Sequence, residues 1–144
     1  VRVVFDTNIY VSALAIPGSQ AEEALFRILD GDDTLLLSKA ILDELLSTLA
    51  RKFSHDAEAL SQVAVTLTEM AEVVKPRHTL DVFEDDPDNR VLECAEAGHA
   101  DVIVTGDKAM LRLKRHGAIR LISLRSLRDY LLRPATRPAK PESK

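Results

Sequence analysis

Short apolar runs alternate with helical patterns along almost the whole chain, and this alternation restricts the possible folds more than any other feature. Residues 2–5 (RVVF), 34–37 (TLLL), 102–105 (VIVT) and 119–122 (IRLI) are four-residue runs dominated by Val, Ile and Leu. Runs of that length and composition read as buried strands. Residues 72–75 (EVVK) read as a further short strand. Helical segments stand between the strands, and the order predicts a parallel sheet flanked by helices on both faces. In such a sheet, ligands bind beyond the carboxyl ends of the strands.

The helices carry recognisable start and stop signals. After Asp6-Thr7-Asn8 comes a small apolar segment, then a break at Pro17-Gly18. Ser19 caps a helix to about Leu29, Glu22 standing where a capping-box acid belongs, and Gly31 ends it. Ser38 caps the next, whose apolar stripe is Ile41, Leu42, Leu45, Leu46 and Leu49, with Arg51 and Lys52 suited to its C-terminus. Residues 56–72 give another, with Leu60, Val63, Ala64, Leu67 and Ala71 facing inward. Asp86 reads as the N-cap of a helix with Pro87 in its first turn, running to Ala97 and stopped by Gly98. A short basic helix follows over 107–115, and Ser123 caps a last one to about Leu132. Residues 133–144 hold three prolines and five charged residues with no apolar pattern, so a disordered tail is expected after a single domain over 1–132.

At 144 residues, 46% of them apolar, the chain is long enough for one well-formed core. It has no long apolar run, no signal-peptide pattern and a single cysteine, Cys94. No membrane association and a reducing, cytoplasmic setting are therefore expected. Charge is unevenly distributed. Residues 1–107 hold 8 Lys/Arg against 21 Asp/Glu, a net of −13; residues 108–144 hold 11 against 2, a net of +9. A basic C-terminal quarter beside an acidic remainder suits a polyanion partner, although a basic helix face that only keeps the protein in solution has the same composition.

Four acids stand out against this framework. Asp6 ends the first strand, Asp107 follows the VIVT strand, Asp88 lies in EDDPDNRVLECA and Glu44 in LSKAILDELL. Asp6 and Asp107 share the carboxyl edge of the sheet. Asn8 and Thr105 add hydrogen-bonding groups beside them. Each acid has an ordinary reading as well: Asp6 and Asp107 as helix caps, Asp85, Asp86 and Asp88 as complements to a helix dipole, Glu44 as a solvated charge with Asp43 as its competitor. Taken together they are more specific. Carboxylates about 5 Å apart repel by roughly 3 kcal/mol per pair at an effective dielectric near 20. A fold relieves this by protonation or by a cation. Oxygen-only ligands favour Mg2+ or Mn2+ over zinc, and such ions hydrolyse phosphate esters. His55, His78, His99 and His116 do not group and read as surface positions, Cys94 as core. No Gly-rich phosphate loop or G-x-S-x-G elbow is present.

Asp6-Thr7-Asn8, Ser38 with Glu44, the run from Asp88 to Ala95, and Val104-Thr105-Gly106-Asp107 together resemble the PIN domain, in particular the toxin components of bacterial and archaeal toxin–antitoxin systems. The resemblance covers residues 1 to about 132. It implies a three-layer α/β/α sandwich with a mostly parallel sheet and a Mg2+- or Mn2+-dependent endoribonuclease. The family's acids fall on Asp6, Glu44, Asp88 and Asp107, which it implies as catalytic and metal-binding, with Asn8 and Thr105 as further catalytic positions. It favours Glu44 over Asp43 and Asp88 over its neighbours, leaving Asp86 as an auxiliary ligand. The implied partners are an RNA substrate, a cognate antitoxin and a second copy of the chain, with Ile9, Tyr10, Val11 and Leu14 as apolar residues for that contact or for the core. Lys108, Arg112, Lys114 and Arg115 are placed to meet an RNA backbone.

Two other readings compete. A non-catalytic RNA- or protein-binding module keeps the same fold without cleavage. A haloacid dehalogenase-like phosphatase also has an Asp after its first strand, but it needs a second Asp where this chain has Asn8. It needs a further acid close after Asp107 as well, and residues 108–112 (KAMLR) supply none.

Overall fold

The computed structural model of the protein describes residues 1–53 and 56–132. The elements, in chain order, are β1 (Arg2–Phe5), α1 (Thr7–Ala15), α2 (Gln20–Asp30), β2 (Thr34–Leu37), α3 (Lys39–Phe53), α4 (Ala57–Met70), β3 (Glu72–Val73), α5 (Asp86–Ala97), β4 (Val102–Val104), α6 (Lys108–Leu113), β5 (Arg115–His116), β6 (Ile119–Ile122) and α7 (Leu124–Leu131). The strands form one sheet in the order β3-β2-β1-β4-β6-β5. Every pairing is parallel except β5 with β6. The expected α/β/α sandwich with a mostly parallel sheet is therefore the fold of this chain.

β1 lies at the centre, with Val4 in register with Leu36 on one side and Ile103 on the other. Val3, Val4, Phe5, Leu36, Val102, Ile103 and Val104 are all fully buried. That explains why these strands read as continuous apolar runs and not as alternating ones. From β1 the chain moves to β2 on one side and later returns to β4 on the other. The gap between the carboxyl ends of β1 and β4 is thus the topological switch point where such sheets bind ligands.

Local signals explain most helices. Ser19 Oγ accepts the Glu22 N–H at 3.1 Å, while Glu22 Oε1 takes the N–H of Gly18, not of Ser19, at 2.9 Å. Ser38 Oγ accepts from Ile41 N, and Ser123 Oγ from Ser126 N. Buried Ile41, Leu45 and Leu49 form the α3 stripe. α4 is more exposed than its pattern implies. Only Leu67 is buried, Leu60 and Val63 are partly so, and the helix packs on α3 and β3 at the margin of the fold.

Four details differ from the sequence reading. Thr7–Ala15 is a full helix; Ile9 and Tyr10 take the core role, one of the two expected of them, and Val11 and Leu14 pack partly buried against the core. Its polar and apolar residues do not segregate cleanly, which hid the helical period. α5 begins one residue early, with Asp85 and not Asp86 at the N-cap. The basic helix ends at Leu113, because Lys114 adopts φ 65° and turns the chain into β5. A two-residue strand is too short to show a period. The expected tail and His55 lie outside the described residues. Among the described residues, no helix is long and apolar enough to cross a membrane.

Candidate metal centre

Asp6 and Asp107 reach the switch point because each follows directly on a central strand. The Asp6 N–H donates to Val104 O at 3.0 Å and the Thr105 N–H to Ile122 O at 2.9 Å, extending the sheet's pairing to the site itself. Thr105 is completely buried. Its hydroxyl donates to Asp6 Oδ2 at 2.8 Å and accepts the Asp107 N–H at 3.0 Å. One side chain thereby ties the two acids together. Asp107 caps α6, its Oδ1 accepting from Met110 N at 3.0 Å. Asp6 stands at the N-cap of α1 without a side-chain capping bond.

The third acid arrives on α5. Asp88 is 5% exposed, and its Oδ2 has no hydrogen-bond partner among the described residues. Asp85, Asp88 and Asp107 each place a carboxylate oxygen within 4.8 Å of the others. Burial, then the charges of Asp107, Asp6 and Asp85, push the Asp88 carboxyl up to about 7. Burial also raises the Asp6 carboxyl, with the Asp107 charge adding to it, while the Thr105 hydroxyl and the N–H groups of Thr7 and Asn8 pull the other way. Both carboxyls thus sit where negative charge is disfavoured, and a cation would relieve them.

The structure brings Asp6, Thr105, Asp88 and Asp107 into one neighbourhood. Glu44 is half-buried on α3, next to buried Leu45, and stands outside the close triad of oxygens. Asn8 is exposed on the first turn of α1 and acts on Asp6 through its backbone. Asp86 is turned to solvent and pairs with Arg90 at 3.3 Å. The close contact comes from Asp85. The acid surplus of EDDPD, more than one cap requires, was its only signal in the sequence.

The remaining groups stay apart from this centre. His78 and His99 are exposed, and His116 meets Glu96 Oε2 at 2.8 Å. Cys94 is fully buried, and burial pushes its thiol up to about 12, which makes it a core residue and not a nucleophile. Lys108 and Arg112 lie on α6, Lys114 at its C-cap and Arg115 in β5, all of them exposed. A donor set made only of oxygens, with one buried oxygen left without a partner, fits a hard divalent cation.

Comparison with known proteins places these observations in a wider group. Residues 2–109 match the family profile described as the PIN domain. The chain is 27% identical over 118 residues to the uncharacterized protein MJ1680 of Methanocaldococcus jannaschii, covering 79% of this chain and 76% of that one. Two solved structures are similar in fold. One is VapBC2 from Rickettsia felis, bound to a DNA fragment from its promoter; the TM-score is 0.60 at 18% identity, over 85% of this chain and 98% of that one. The other is VapBC-1 from nontypeable Haemophilus influenzae, at 0.60 and 17%, over 87% and 99%.

Proposed function

Because the chain belongs to the PIN domain family, we propose that it is a Mg2+- or Mn2+-dependent endoribonuclease, the toxin of a toxin–antitoxin pair. The observation that carries the metal-dependent reading is the buried Asp88 Oδ2, without a hydrogen-bond partner among the described residues and set among the charges of Asp6, Asp85 and Asp107. In this reading Asp6, Asp88 and Asp107 would hold the cation, with Glu44 on α3 as the fourth acid that the family resemblance implies. A bound ion supplies an activated water and neutralises charge at the phosphate. Thr105 orients Asp6 through its 2.8 Å hydrogen bond and steadies the start of the Asp107 loop. Lys108 and Arg112, exposed just beyond Asp107, hold the RNA backbone.

RNA as substrate follows from the family resemblance. The cognate antitoxin is supported by the likeness in fold to VapBC2 and VapBC-1. A homodimer in the cytoplasm completes the proposal. The test is incubation with structured and single-stranded RNA, with and without Mn2+, beside an Asp6→Ala control. Mn2+-dependent cleavage lost in the control is expected. Cleavage that survives the substitution overturns the assignment, and binding without any cleavage identifies a non-catalytic module.

A further inference from the structure

We propose that Asp85 is a cation ligand of this chain, completing with Asp88 and Asp107 an oxygen triad at the head of α5. The inference rests on the metal-dependent reading above and gives a ligand's role to a residue which that reading leaves out.

Three observations carry it. First, the oxygens of Asp85, Asp88 and Asp107 lie within 4.8 Å of one another, and Glu44 is not among them. Second, Asp85 occupies the N-cap of α5, where an Asp side chain ordinarily accepts a helix N–H, yet it makes no capping bond. Its carboxylate is left for another use. Third, Asp88 Oδ2 is buried in the same cluster with no hydrogen-bond partner among the described residues. Asp107 uses Oδ1 on Met110 N.

The loop that delivers Asp85 is also held in place. Asn89, 1% exposed, accepts the N–H groups of Val82 and Phe83 at 2.9 and 2.8 Å on its Oδ1. Its Nδ2 donates to Phe83 O at 2.8 Å. The backbone two residues before Asp85 is therefore pinned to the helix that carries Asp88. Asp86 is drawn away by Arg90 and by a 3.5 Å contact with Asn89. Asp85 itself is exposed, but its loop is pinned and its carboxylate stands beside buried Asp88 and half-buried Asp107, so an ion held there would be reached from solvent.

Titrating metal-free protein with Mn2+, followed by the paramagnetic resonance of the free ion, tests this without reference to activity. Wild type, Asp85→Asn, Asp86→Asn and Asp88→Asn are compared, with circular dichroism in chelator confirming each fold. Asp85→Asn is expected to weaken Mn2+ binding by roughly tenfold or more, and Asp86→Asn to leave it unchanged. Wild-type affinity in Asp85→Asn, with binding lost in Asp88→Asn, overturns this inference and leaves the metal centre standing. Absence of Mn2+ binding in the wild type overturns both.

Discussion

Asp88 carries a direct consequence for stability. Its carboxyl titrates near 7 in the folded protein, against an ordinary value near 4. The folded state therefore holds this proton more tightly than the unfolded chain does. The contribution is fully present below about pH 4 and is lost as pH rises through about 7. A rise of that size corresponds to a cost of at most about 4 kcal/mol for the metal-free protein at pH 8, and solvent screening at the open edge of the sheet reduces it. Asp88→Asn should then melt higher than wild type at pH 8 in chelator, and the gap should close towards pH 4. Equal melting at pH 8 would contradict the placement of this acid. Thr105 gives a second prediction. Thr105→Val keeps the shape but removes the hydroxyl that serves both Asp6 and Asp107. Mn2+ affinity or cleavage should fall by about 10- to 100-fold, and a Mn2+ titration of the variant checks it. At this scale the strand-end acids were legible, since each follows an apolar run. The close approach of Asp85 was not, because it depends on the side chain of Asn89 holding the preceding loop.

Helix starts were the most legible elements, because Ser19, Ser38 and Ser123 cap through contacts only three residues long. α1 was missed because its residues face several neighbours and carry no clean stripe. β5 was missed because it depends on Lys114 taking a positive φ of 65° with ψ −43°, a backbone conformation that a residue with a side chain rarely adopts. Gly98 was legible as a stop, but for a different reason. Its φ is −91°, which any residue tolerates. A Cβ there would lie 2.7 Å from Leu36 Cδ1. Gly98 is thus where α5 settles onto β2, and the packing of that helix fixes where Asp88 sits. Gly98→Ala should cost about 1–3 kcal/mol. A double-mutant cycle with Leu36→Val, read by denaturant unfolding, should recover part of that cost if the clash is the cause.

For the whole molecule, the acidic majority and the basic last quarter of the sequence meet at the switch point, where Asp107 is followed at once by Lys108. Replacing Lys108 and Arg112 together by Ala should weaken RNA binding and reduce its salt slope by roughly 0.7 for each phosphate no longer neutralised. Equilibrium binding at several salt concentrations reads both. Mn2+ at 100 times its dissociation constant should add about 2.7 kcal/mol to stability, and chelator should remove it. The sheet has one more consequence, for how copies of this protein can meet. Both outermost strands are two residues long, and each holds a charged residue, Glu72 in β3 and Arg115 in β5. Short, charged borders offer little backbone for another strand to template on. Copies are thereby steered away from joining their sheets into a continuous ribbon, and self-association is left to the helical faces.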